Sequence, residues 1–222
     1  KLKEAEIYTL KAIKIKPDFA MAYSNLSLIL KDLGKLKEAE ISIIKAIKLQ
    51  PKHPILYFNL GIILESIGKL KEAEINTRKA IELKPSYAEA YLNLGCILID
   101  LGKLKEAELL LKKSIDLESN LTKAYFSLST LKYSKDNKIW QSKLFSENIL
   151  NQKSKEDLIH IYFARANVLH KEKKHTEAAK YLSLANSLKL EIRPSNPEII
   201  INKSNRLMLE TYKEELNFEV NY

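Results

Sequence analysis

Tyr23, Leu26, Ser27, Leu30 and Leu33 recur at intervals of three and four, with other residues between them. That is the period of a helix that buries one stripe. Leu36, Ala39, Ile43, Ala46 and Ile47 repeat the spacing a few residues on and predict a second helix. Gly34 stands between the two stripes, where a chain reversal needs a positive φ. Pro17, Pro51 and Pro85 close successive units, because the residue before a proline avoids the helical region and proline has no N–H to donate. Ser86 with Glu89 predicts a capping box for the next helix, and Pro54 suits a first helical position.

The same pattern returns at a fixed distance. The heptapeptide GKLKEAE occupies residues 34–40, 68–74 and 102–108, and the chain opens on KLKEAE. Sliding the sequence by 34 residues aligns Tyr23, Tyr57, Tyr91 and Tyr125, and then Leu26, Leu60, Leu94 and Leu128. It also aligns Ala5, Ala39, Ala73 and Ala107, and Ala12, Ala46 and Ala80 with Ser114. Small residues in one column and large ones in another let two helix axes approach at native packing density. The lysines and glutamates of the heptapeptide, Lys37 and Glu38 among them, are expected to be solvated. Self-similarity at a fixed period of this length decides the fold.

The large aromatic, the Leu-Gly pair, the two alanines and the closing proline of residues 20–119 resemble the tetratricopeptide repeat family. The array reads as residues 1–129: a half repeat (1–19), repeats 20–53, 54–87 and 88–121, and the start of another at Thr122. The resemblance implies an all-α, right-handed superhelical solenoid of antiparallel helix pairs with a concave inner groove. Ser27 and Ser129 stand where Gly61 and Gly95 do, and Thr9 and Thr77 stand where a larger residue is usual. Residues 1–15 are a second helix without its first, so one apolar face is left over, and the natural protein is expected to continue upstream.

From about residue 130 the period breaks, and 130–193 reads as divergent repeat-like helices. Trp140, Leu144 and Ile149 predict a helix of a different length, and Ser154 with Asp157 a further cap. Trp140 reads as core or as a binding hot spot. Within 160–190, Tyr162, Ala166, Leu169, Ala178, Leu182 and Ala185 regain the familiar columns, with Arg165 in place of a leucine and Lys173 in place of a glycine. Asn196 and Pro197 start a last helix over 194–222, whose Ile199, Ile200 and Leu207 could cover the solenoid's end or link it to a further domain. The run from Ala124 to about Asn217, with AYFSLSTLKYSKD and HIYFARANVLHKEKKHTEAAKYLSLAN, also resembles the region that precedes the catalytic domain in bacterial repeat-containing sulfotransferases. In that family a Gly/Ser/Thr loop for the phosphosulfate donor would follow, so any such cofactor would belong to a downstream domain and none to this chain.

Composition narrows the function further. The 222 residues carry a formal charge of +9, which invites a nucleic-acid reading. The cations are nearly all lysine and lie beside glutamates along the whole chain, whereas base and bidentate phosphate recognition favours clustered arginine. Neither a nucleic-acid nor a membrane partner is expected, since apolar runs are only a few residues long. Cys96 stands alone, which fits a reducing, cytoplasmic setting. Gly34, Gly61, Gly68, Gly95 and Gly102 all hold repeat positions, which leaves none for a phosphate-cradling loop. His170 and His175 are five apart, a spacing expected to turn them to different faces, and no zinc ligand set is visible. This chain is therefore not expected to be an enzyme.

What remains is the groove. By the family resemblance it is lined one, two and five places after each repeat's aromatic. Those places hold Ser24, Phe58, Leu92 and Phe126; Asn25, Asn59 and Asn93; and Leu28, Ile62, Cys96 and Thr130. The three asparagines could hold the backbone of an extended peptide, each with two donors and an acceptor. Phe58, Leu92 and Ile62 would supply an apolar floor. A basic clamp for acidic C-termini is not supported, because Lys and Arg are missing from these columns in the first three repeats. The expectation is a protein-interaction scaffold for a peptide, a partner protein or its own downstream domain. The alternatives are a spacer or oligomerisation arm, and a stand-alone adaptor.

Overall fold

A computed structural model describes residues 1–131 and 138–192, and among these residues it contains helices and no strand. The repeat array consists of α1 (Leu2–Ile15), α2 (Ala20–Asp32), α3 (Leu36–Leu49), α4 (Pro54–Ile67), α5 (Leu70–Leu83), α6 (Ala88–Asp100), α7 (Leu104–Leu117) and α8 (Thr122–Thr130). Helices α2/α3, α4/α5 and α6/α7 form the antiparallel pairs expected for the three full repeats. Each pair turns at a glycine of positive φ, +77° at Gly34, +87° at Gly68 and +74° at Gly102. At the first of these turns Lys35 N–H returns to the Leu30 carbonyl at 2.8 Å, which satisfies an end-of-helix acceptor. Ala39, Ala73 and Ala107, with Ala46 and Ala80, are fully buried between the paired helices. Pro54 opens α4 as expected.

Four expectations are corrected. Ser86 does not cap α6: Tyr87 is the N-cap residue and no side chain bonds there. Ser86 is drawn into the preceding turn, which Tyr87 N–H closes on the Lys84 carbonyl at 3.0 Å. The heptapeptide charges are not all solvated. Lys35 reaches Glu6 at 2.7 Å, Lys69 reaches Glu40 at 2.9 Å and Lys103 reaches Glu74 at 2.7 Å. The first lysine of each copy thus pairs with the last glutamate of the copy before, while Lys37 and Glu38 are exposed as expected.

The third correction concerns Trp140, Leu144 and Ile149, which share no single helix. The first two lie on α9 (Lys138–Phe145) and Ile149 lies in a short 3-10 turn, Glu147–Leu150. All three are nonetheless buried in one cluster with Tyr125 and Leu128, which settles Trp140 as core. The fourth is Leu182, expected in a core column and found 46% exposed. It sits on α11 (His175–Ile192), which packs on α10 (Lys155–Lys171) through the face that carries Ala178 and Ala185.

Other features of the second half are as expected. Ser154 caps α10, its hydroxyl accepting from Asp157 N–H at 3.1 Å. Lys173 takes φ +62° at the turn, the conformation that glycine holds in the earlier repeats. Because α9 and the 3-10 turn replace a full second helix, α8 packs directly on α10. Arg165, in its leucine column, is 5% exposed and donates to the Leu144 and Ser146 carbonyls at 3.0 and 3.1 Å. It satisfies the carbonyls that the shortened element leaves at its end. The expected Asn196 cap and the 194–222 helix lie outside the described residues.

Candidate functional site

The first helices of successive repeats, α2, α4, α6 and α8, carry all the expected groove residues. Phe58 and Ile62 on α4 and Leu92 and Asn93 on α6 converge on one concavity of about 460 Å³. Their helical spacing places them on one side of each helix, and their columns bring neighbouring helices into register. Phe58 is held against Tyr87, ring centroids 5.0 Å apart. Burial, with Glu89 nearby, pushes the Tyr87 phenol up to about 12, so it stays neutral. Leu92 contributes only an edge, being 9% exposed.

The rim was not foreseen. Glu65, Glu89 and Asp100 line the same concavity, with Lys123 from α8 the one cation among its lining residues. On a chain of formal charge +9 the apolar floor therefore carries a locally acidic edge. Glu65 does not repeat at the period, since Lys31 and Ile99 share its column, and Asp100 repeats only at Asp32, with Ser66 between them. Repetition could not single them out.

The asparagines are unequal. Asn25 is exposed on α2. Asn59 is 5% exposed and donates Nδ2–H to Ser24 Oγ at 2.9 Å, which ties α4 to α2. Asn93 donates to Glu65 Oε2 at 2.7 Å, and its Oδ1 stands 3.3 Å from Thr77 Oγ1. Asn59 and Asn93 thus tie neighbouring first helices together, and Asn93 alone of the three asparagines also lines the concavity.

Phe126 lies apart, in a second concavity of about 320 Å³ with Ile159, His160 and Phe163 of α10 and Lys189 and Ile192 of α11. Burial pushes the His160 imidazole below its ordinary value, with Asp157 opposing. Ser24 is buried, and Cys96 is half-buried beside Ser127 Oγ at 3.5 Å. Burial raises its thiol above the ordinary value, with the Ser127 contact opposing, a direction that disfavours the reactive thiolate. His170 and His175 do not diverge: their rings stand 5.2 Å apart, because the turn between α10 and α11 folds one back on the other. Among the described residues no group of three or more His, Cys, Asp or Glu could hold a metal ion, and no helix is long and apolar enough to cross a membrane.

One tetratricopeptide repeat profile matches residues 20–53, 88–121 and 159–191, and a second matches 43–75. No curated protein sequence matches the chain. Among solved structures, pilF of Pseudomonas aeruginosa superposes with a TM-score of 0.65 at 19% identity, over 92% of this chain and 90% of that one. MamA gives 0.53 at 20% identity over 87% and 92%. YrrB, described as a TPR protein with an unusual peptide-binding site, gives 0.53 at 18% identity over 88% and 97%. These likenesses are of fold. Two matching profiles that together span more than half of the chain, and the helix pairs at their 34-residue period, show that it belongs to the tetratricopeptide repeat family.

Proposed function

We propose that this chain is a non-catalytic protein-interaction scaffold that holds an extended segment of a partner against α4 and α6. The observation that carries it is the convergence of Phe58, Ile62, Leu92 and Asn93 on one concavity edged by Glu65, Glu89 and Asp100. Apolar side chains of the partner would seat on Phe58 and Ile62, and its lysines or arginines would meet the carboxylates. Asn25, exposed on α2, and Phe126, in the second concavity, lie outside this one and would meet only a longer segment. The lone thiol suits a cytoplasmic setting.

The test is selection of linear peptides from a random library against the whole chain. Recovered peptides should share an apolar residue beside Lys or Arg. Phe58→Ala combined with Asp100→Asn should weaken the best of them at least tenfold in calorimetry, about 1.4 kcal/mol, with helical content unchanged. Peptides of no common pattern, or affinity untouched by both changes, would reject the groove as the site.

We also infer, from the resemblance of residues 124–217 alone, that the scaffold serves a sulfotransferase-type catalytic domain that would hold the phosphosulfate donor. Coding sequence beyond Tyr222 decides that point: a strand followed by a Gly/Ser/Thr-rich loop supports it, and a stop codon removes it.

A further inference from the structure

The outer face of the array carries a second periodic feature, independent of the groove. Directly after each KLKEAE comes an aliphatic residue: Ile7, Ile41, Ile75 and Leu109. These side chains are 53, 69, 67 and 66% exposed. Within the repeat array, the large exposed apolar side chains lie on α1, α3, α5 and α7, with Phe19 the exception. The groove helices α2, α4, α6 and α8 carry none. A solvated outer layer has no need of such a row; an interface does.

We infer that this row is a self-association surface, and that its occupant is the same row on a second copy of the chain. Three observations favour that occupant. The first is area: at about 100 Å² per apolar side chain, the four row residues offer on the order of 400 Å² per copy, and the polar side chains that flank them on the outer helices widen the face. A standard interface needs roughly 800 Å² per partner.

The second is shape. Shallow furrows run along the row, one of about 250 Å³ where Leu10 and Ile41 meet above Leu26 and Leu30, and one of about 480 Å³ beside Ile75 and Tyr57. Furrows between crests accept side chains of a protein surface, whereas a bilayer would touch the crests alone.

The third is charge. Each row residue has a glutamate three places before it (Glu4, Glu38, Glu72, Glu106) and a lysine four places after it (Lys11, Lys45, Lys79, Lys113). A two-fold axis parallel to the row sets the second copy's helices antiparallel to the first. Each glutamate column then faces a lysine column, and equivalent row residues meet. The other two-fold, with its axis along the helices, would set like charges against each other and pair Ile41 with Ile75.

Sedimentation equilibrium of the full chain from micromolar to hundreds of micromolar is the first test. A monomer–dimer equilibrium is expected, and Ile41→Glu with Ile75→Glu should raise its dissociation constant at least tenfold while the circular dichroism spectrum stays the same. Both residues are exposed, so the folded chain tolerates the change. A monomer at every concentration, or a dimer indifferent to both substitutions, overturns the inference.

Orientation has its own readout. In a Cys96→Ser background, Ile41→Cys with Leu109→Cys should oxidise to 41–41 and 109–109 cross-links between chains. A chain with Ile41→Cys and Ile75→Cys that gives only 41–75 cross-links between chains would reject the arrangement.

Discussion

Gly61 packs its α-carbon against α5 so closely that a Cβ there would collide with Thr77 Oγ1. At the corresponding place in the next repeat, a Cβ on Gly95 would stand 2.7 Å from Leu111 Cγ. Thr77 is itself fixed, its hydroxyl donating to the Ala73 carbonyl at 2.8 Å. Gly61→Ala is therefore expected to destabilise the chain by about 1–3 kcal/mol, the usual cost of overpacking. Thr77→Ala in the same chain should return much of that loss, because the colliding oxygen goes with it. Urea unfolding of the two single variants and the double measures the coupling, and strict additivity would show that the two residues do not touch in this way. The columns at 61 and 77 were both legible in the sequence, one as a glycine shared with Gly95 and the other as a threonine where a larger residue is usual. That they are a single contact was not legible. Alignment at the period says which residues play the same part, but not which parts meet. Asn59 has the same lesson, since its column is plain in the sequence while the Ser24 hydroxyl that takes its amide proton lies 35 residues away.

Between elements, the second helices of neighbouring repeats are tied by charges that the heptapeptide supplies. Glu74 is the most connected of them, with Lys103 at 2.7 Å and Arg78 at 2.8 Å. The hydrogen bond from Lys103 holds its carboxyl below the ordinary value of 4.5; burial opposes this, and the bond from Arg78 reinforces it. A carboxylate that is more acidic folded than unfolded stabilises the chain above its unfolded pKa, and that share is lost as pH falls through the folded value. Wild type should thus melt above Glu74→Gln at pH 7, by about 1–4 °C for a partly exposed pair worth about 0.5–1 kcal/mol. The gap should close once the pH is well below 4.5. A constant gap from neutral to acid pH would mean that packing, not the ion pair, sets the difference. The helix pairs themselves were readable from the 3.6-residue period and the Gly and Pro stops. The α9 segment was not, because its charged and aromatic stretch has neither stop nor period; it ends where the Ser146 N–H and hydroxyl both return to the Lys143 carbonyl, at 3.3 and 2.8 Å.

Across the whole molecule, the repeats stack as neighbours until α8, where the missing second helix changes what can hold the next unit. α10 is joined to α8 by polar links as well as by the core around Tyr125 and Trp140. Lys171 donates to the Ser129 and Leu131 carbonyls at 2.5 Å each, and Asn167 donates to Ser129 Oγ at 3.0 Å. At the other end of α8, Thr122 donates to Asp157 Oδ1 at 2.6 Å. Lys171 thus closes the acceptors at the end of α8 from across the junction, and its ammonium, pushed down by burial, is held there by those carbonyls. In a linear array, stability is a sum of units and of the interfaces between neighbours, so damage at one interface stays local. Lys171→Met keeps the aliphatic stem and removes the donors, leaving buried carbonyls unpaired at a cost of about 2 kcal/mol. Native-state hydrogen exchange should then speed up roughly 10- to 100-fold in α8, α10 and α11 while α2 to α5 keep their protection. If exchange instead rises equally from α2 to α11, the junction is not a boundary, and the array and its divergent end unfold as one.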